Sequence, residues 1–264
     1  MREKKPARRD FIKFSALAIG GLALPGTASA KRRETKLLGI STEDKKLNIV
    51  CLGAHPGDPE FGCGGTMAKY SDAGHNVTFI YLTRGEASDP NKTYAEMAAM
   101  RTKEAETSCG ILKATPQFAG QIDGSTILDK SKNEVMAKLI EATKPDIVFT
   151  QWPVDAHPDH QVTGLLALTA WINAKRLFQL YFYEVNTGVE TMGFTPTDYV
   201  DITTTRERKK AAMFAHKTQD PVNTYNDYFK PLEEFRGLEA RVKAAEAFIH
   251  FKAEGDRASI IGLK

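Results

Sequence analysis

Cysteine is scarce and unpatterned in this chain. Cys51, Cys63 and Cys109 are the three in 264 residues, an odd number without CxxC spacing, so neither a disulfide framework nor a cysteine zinc site is indicated. Cys51 falls in a strand-like run and Cys109 near a helix end, where cysteine is ordinarily a small buried hydrophobe. No GxSxG pentapeptide occurs, which removes the signature of a serine-hydrolase elbow. Glycines at 62, 64 and 65 do not complete GxGxxG, because position 67 is Met67; a dinucleotide site is set aside and close helix–sheet packing is their expected use. The apolar stretch Phe14 to Leu24 is too short and glycine-rich for a membrane span of about 20 residues, so no stable span is expected. Low-complexity linkers, repeats and long runs of one charge are also missing, which favours one domain over residues 31–264.

The N-terminus carries a different kind of signal. Arg8-Arg9-Asp10-Phe11-Ile12-Lys13 matches a twin-arginine motif, followed by Phe14 to Leu24 and a small-residue cleavage site, Ala28-Ser29-Ala30. This predicts a signal peptide over 1–30, handled by the twin-arginine export machinery, and a periplasmic or otherwise extracytoplasmic mature protein. The signal holds six Lys/Arg and two Asp/Glu, so its removal turns the formal charge from +3 to −1. The basicity belongs to the signal, and nothing points to a nucleic-acid partner.

Beyond a polar stretch to about Lys45, strand-like and helix-like patterns alternate. Strands are expected at 47–53, 76–83, 117–119, 146–150, 179–185 and 198–202. Helices are expected at 61–72, from after Thr93 to about Cys109, and at 132–142, 161–174, 206–216 and 232–252. Alternating βα units predict an α/β fold, a Rossmann-like doubly wound, mostly parallel sheet with helices on both faces.

Two short histidine–acid clusters stand about 100 residues apart, His55-Pro56-Gly57-Asp58-Pro59-Glu60 and His157-Pro158-Asp159-His160. Each follows an apolar run that reads as a buried strand. Carboxyl ends of parallel strands share one edge, so the two clusters can converge there. Imidazole nitrogen and carboxylate oxygen are good zinc donors, and three protein ligands leave a fourth position open for water.

The motifs resemble the PIG-L or LmbE-like zinc-dependent N-deacetylases, whose signature is Ala-His-Pro-Asp-Asp-x-Glu followed later by His-x-Asp-His. The similarity covers Ala54 to Glu60, Leu82 to Glu86, Arg101 with Glu104, His157 to His160, and Ala215-His216-Lys217-Thr218-Gln219. It implies that His55, Asp58 and His160 bind Zn2+ or another divalent metal. It further implies that His157 stabilises an oxyanion, with Asp159 orienting or charging that imidazole, and that the substrate is an amino-sugar derivative losing an N-acyl, most simply N-acetyl, group. Arg84 follows the second strand and would face sugar hydroxyls or an acidic group, with a salt bridge to Glu86 or Glu104 as the competing reading. Trp152 would stack on a sugar face or pack internally, and His216 would line the site or sit at a helix end favoured by the dipole.

One departure stands out. The first aspartate of the family's pair, its general base, is Gly57 here. Three readings follow. Asp155, Asp159 or Glu60 takes over; the metal alone activates water; or hydrolysis is lost and a metal-dependent carbohydrate-binding protein or pseudoenzyme remains. An ester substrate is a further alternative.

Overall fold

A computed structural model describes residues 45–252 apart from Arg176; the expected signal over 1–30 lies outside the described residues. A seven-stranded sheet runs β3-β2-β1-β4-β5-β7-β6, with β1 Asn48–Gly53, β2 Asn76–Tyr81, β3 Thr115–Phe118, β4 Ile147–Gln151, β5 Gln179–Tyr183, β6 Asp198–Asp201 and β7 Ala245–Phe251. Strands β1 to β5 are mutually parallel, while β7 pairs antiparallel with both β5 and β6. The α/β, mostly parallel reading therefore holds. Central strands such as Asn48–Gly53 are apolar on both faces because helices cover both.

Alternate strand residues feed two cores. Ile49, Cys51, Phe79, Tyr81 and Phe149 pack with helices α1 Asp58–Asp72, α2 Tyr94–Leu112 and α5 Arg206–Met213. Val50, Leu52, Ile80 and Val148 pack on the other face with α3 Lys130–Ala142 and α4 Pro158–Asn173. Local chemistry sets the helix starts. Thr93 and Glu96 form a reciprocal capping box on α2, Asp129 caps α3, and Pro59 and Pro158 occupy first turns where no amide partner is needed.

The C-terminal expectation fails in its second half. The short α6 Pro221–Thr224 runs through a π turn, Tyr225–Phe229, into α7 Lys230–Ala240, which ends at Arg241 in the left-handed region, φ 60°. Ala245–Phe251 is then a strand: its helix-compatible Ala-Glu-Ala start is overridden by pairing with β5 and β6.

The glycines of α1 do set the helix–sheet distance. A Cβ at Gly62 would lie 2.3 Å from Cδ2 of Tyr183, and one at Gly65 would lie 2.6 Å from Cγ2 of Ile202. Tyr183 cannot swing away freely, because its hydroxyl donates to Leu52 O at 2.7 Å. Gly62→Ala is expected to destabilise the fold by about 1–3 kcal/mol through overpacking, read as a lower urea midpoint at constant m value; an unchanged midpoint would show that the ring shifts at no cost.

Candidate metal centre

Strands β1 and β4 lie side by side, Cys51 opposite Phe149, and the chain order reverses between them. This is the switch point at which an open α/β sheet forms its ligand crevice. The first cluster leaves the end of β1 and the second leaves the loop after β4, which is how two distant segments meet. Gln151, the last residue of β4, ties them together: its Oε1 accepts Ala54 N–H at 2.8 Å and its Nε2 donates to Asp58 Oδ2 at 3.1 Å.

His55, Asp58 and His160 form the centre. Asp58 Oδ2 is 3.2 Å from His55 Nδ1 and 3.5 Å from His160 Nε2, and the three donor atoms fall within 4.8 Å of one another. All three side chains are buried. Burial alone would depress the imidazole of His55, but Asp58 and hydrogen bonds with Asp123 and Asp159 raise its pKa well above the usual value. Burial would likewise raise Asp58, yet His160 and His55 drive its carboxyl far below the usual range. Two imidazoles and a carboxylate, buried and converging at donor spacing, fit a divalent cation.

The flanking carboxylates hold the imidazoles. Asp155 Oδ1 lies 3.2 Å from His160 Nδ1, a ring nitrogen that otherwise has no hydrogen-bond partner among the described residues. Asp155 is fixed in turn by His157 N–H at 2.8 Å and the Thr191 hydroxyl at 2.9 Å. Asp159 meets the expectation drawn from the motif in part. A carboxylate oxygen lies within 4.8 Å of a ring nitrogen of His157 and its charge opposes the lowering of that imidazole's pKa, but its hydrogen bonds come from Gly124 N–H at 2.8 Å and the Thr126 hydroxyl at 2.6 Å, and it faces His55 Nε2 at 3.2 Å. The hydrogen bond to His157 comes from the backbone N–H of Asp159, which donates to Nδ1 at 3.2 Å. Asp123, which no motif flagged, faces the same His55 nitrogen at 3.1 Å from the connection after β3.

His157 lies outside that triad and, with His55 and Asp159, forms a second group of donor atoms within 4.8 Å of one another. Its ring stacks on His160 with centroids 4.6 Å apart and meets His55 edge-on at 4.8 Å. Because Nδ1 accepts a hydrogen bond, the neutral ring carries its proton on Nε2. Burial, with His55 and His160 nearby, lowers its pKa and keeps it neutral.

Three expected substrate contacts lie elsewhere. Arg84 reaches the outer face of α2, donating to the Thr102 hydroxyl at 2.6 Å and covering the Phe118 ring at 4.1 Å. Neither suggested salt bridge forms: Glu86 accepts the backbone N–H of Arg84, and Glu104 holds Thr218. Trp152 packs against Phe182 and Phe194 and donates to Met192 O. His216 is 0 % exposed and bonds Glu60 Oε1 at 3.0 Å, so it supports the metal loop from behind.

Gly57 sits at φ +112°, ψ −39°, a conformation closed to side-chain-bearing residues. A Cβ there would have room, its nearest neighbour being Phe61 Cζ at 3.5 Å, so the constraint is in the backbone. Glu60 is no stand-in base: it is 0 % exposed, with one oxygen taken by Tyr81 and His216 and the other by Gly57 N–H. A cleft of about 360 Å³ opens over the centre, lined by His55, Asp58, His157, His160, Asp123 and Glu190 among others.

Two outcomes are expected from this geometry. His160→Ala should abolish tight metal binding, since two ligands hold zinc far less firmly than three; full occupancy by elemental analysis would remove His160 from the centre. Asp155→Asn should weaken metal affinity by about 10–100-fold, as loss of a carboxylate that orients a ligand imidazole does. A competition titration that finds wild-type affinity would refute that role.

Residues 50–171 match the PIG-L family, GlcNAc-PI de-N-acetylase. Diacetylchitobiose deacetylase of Thermococcus kodakarensis is 28% identical over 210 residues, covering 70% of this chain and 78% of that protein. The fold superposes on N,N'-diacetylchitobiose deacetylase of Pyrococcus horikoshii with a TM-score of 0.70 and 24% identity, over 81% of this chain and 87% of that one. It superposes equally, TM-score 0.70, on the 4-carboxy-2-hydroxymuconate hydratase of Pseudomonas putida, at 21% identity over 81% of this chain and 100% of that one. A fold shared by a deacetylase and a hydratase does not decide the chemistry by itself. The match to the PIG-L family model, over residues 50–171, spans both histidine–acid clusters and is the similarity that bears on the chemistry.

Proposed function

We propose that the protein is an exported, zinc-dependent N-deacetylase that removes an acetyl group from the nitrogen of an amino-sugar derivative. The observation that carries this reading is the convergence of three histidines on two carboxylates: His55 and His160 with Asp58, and His157 with His55 and Asp159, the Nδ1 of His157 accepting from Asp159 N–H and its Nε2 having no hydrogen-bond partner among the described residues. The diacetylchitobiose deacetylase relative supports the substrate class, and the Arg8-Arg9 motif supports export.

His55, Asp58 and His160 would hold the cation. A divalent metal there supplies Lewis acidity, polarising a carbonyl and lowering the pKa of water. The chain's own residues do the rest. Gln151, Asp155 and Asp159 fix the ligands in place, so little reorganisation is required on binding. His157, neutral and protonated on Nε2, donates a hydrogen bond to the oxygen on which charge develops as the amide carbon becomes tetrahedral.

Gly57 favours a second reading, a metal-dependent carbohydrate-binding protein without turnover. Acetate release from a panel of N-acetylated amino sugars, abolished by chelation and restored by Zn2+, supports the enzyme. Tight sugar binding with no acetate would support the binding protein, and cleavage restricted to acetyl esters would reassign the bond.

His157→Ala should retain the metal and lose about 10²–10³ in turnover, the usual effect of removing one oxyanion donor; unchanged turnover with intact metal would make His157 a turn residue. Gly57→Asp should not restore a base. It is expected to cost about 1–3 kcal/mol of stability through backbone strain, and Gly57→Ala a similar amount, since the strain does not depend on the carboxylate. A more active and equally stable Gly57→Asp enzyme would show that the loop adapts.

A further inference from the structure

The loss of a carboxylate at Gly57 leaves the attacking water without its usual proton acceptor, and the cleft can be searched for another. Asp155 and Asp159 have both oxygens engaged by hydrogen-bond donors, and Glu60 is sealed beneath the metal loop. Two acidic side chains besides Asp58 line the cleft, Asp123 and Glu190. Asp123 spends one oxygen on His55 Nε2 at 3.1 Å and the other on Ala87 N–H at 3.0 Å. Glu190 differs. Its Oε2 accepts from Asn186 Nδ2 at 3.0 Å, and its Oε1 has no hydrogen-bond partner among the described residues.

The position of Glu190 is fixed relative to the second cluster. Its carbonyl accepts Ala156 N–H at 2.9 Å, between Asp155 and His157, and the next residue, Thr191, bridges Asp155. Its own N–H is held by Asn186 O at 2.9 Å, which stiffens the connection after β5. The side chain thus lines the cleft from a segment clamped to the loop that carries His157.

We propose that Glu190 is the general base of this chain, taking over from the connection after β5 the role vacated at Gly57. The inference rests on the amide-hydrolase reading above. As the water oxygen bonds to the carbonyl carbon, Glu190 accepts one water proton and the C=O π electrons move onto oxygen beside His157. On collapse the C–N bond breaks with its electron pair leaving on nitrogen, Glu190 returns the proton to that nitrogen, and an acid and a free amine are released. Burial pushes the Glu190 carboxyl up from its ordinary value, opposed by His160 and reinforced by Asp58 and Asp155, the direction that suits a group that must both take and give a proton.

The test is Glu190→Gln in the metal-loaded mature protein, compared with Asp123→Asn. Glu190→Gln should lower kcat by about 10²–10⁴, with KM within about threefold of wild type and metal content unchanged. Formate should restore part of the rate to Glu190→Ala. Wild-type kcat in Glu190→Gln, or loss confined to Asp123→Asn, would overturn the proposal. A second readout covers the case in which wild type hydrolyses nothing on the panel, which would sink the proposed function. The visible spectrum of the Co2+-substituted protein, titrated with pH, should then show a transition that Glu190→Gln displaces. Coincident curves for wild type and Glu190→Gln would remove Glu190 from the neighbourhood of the metal's open position.

Discussion

A single buried carboxylate, Glu60, holds the metal loop in shape. It accepts from Gly57 N–H, from the Tyr81 hydroxyl and from His216 Nε2, and so joins the first motif, the end of β2 and the late motif at one point. Two further ties complete the frame. The guanidinium of Arg101 donates to Pro56 O and Gly85 O, and Glu104 accepts both the N–H and the hydroxyl of Thr218. Motifs scattered from 54 to 219 are thus one mechanical unit. Removing a partner from such a set leaves a buried charge or donor unpaired, which costs several times what the bond itself contributes.

That frame explains why the sequence could be read so far and no farther. His55, Asp58 and His160 are legible because each lies just beyond the end of a buried strand and the parallel pairing of β1 with β4 leaves no other place for those turns to go. Arg84, Trp152 and His216 are not, because being near a strand end does not fix the direction of a side chain. Gly85 turns the chain at φ +66° just after Arg84, and Trp152 is drawn into an aromatic contact with Phe182 that period-2 patterning cannot show. Asp159 is the subtler case. The motif places it next to His157, but a helix N-terminus exposes its backbone N–H to that ring and sends its carboxylate toward His55.

Asp123 and Glu190 carried no signal in composition or spacing. Both lie on connections that follow strands, β3 and β5, at the edge where the doubly wound topology gathers its ligands. Acidic residues on all the post-strand connections, and not only those in recognisable motifs, are the candidates such a topology offers. The strand Ala245–Phe251 was missed for a different reason. Its pattern suits a helix as well as a strand, and only partners distant in sequence decide between them.

The acidity of the cleft connects these observations. Arg101 is the one Lys or Arg side chain lining it among the described residues, and its guanidinium is spent on backbone carbonyls. Asp58, Asp123 and Glu190 face the same space with three imidazoles, His55, His157 and His160, an arrangement that repels anions and attracts a divalent cation. Neutral amides enter such a site without penalty, and an amine released there is stabilised as soon as it gains a proton. Placing the proton acceptor on the β5 connection separates two tasks that a single aspartate beside the metal would combine. The loop at Gly57 is then free to adopt the glycine-only turn that lets Glu60 bind its N–H, and the rigidity of the ligand set no longer depends on the residue that moves the proton.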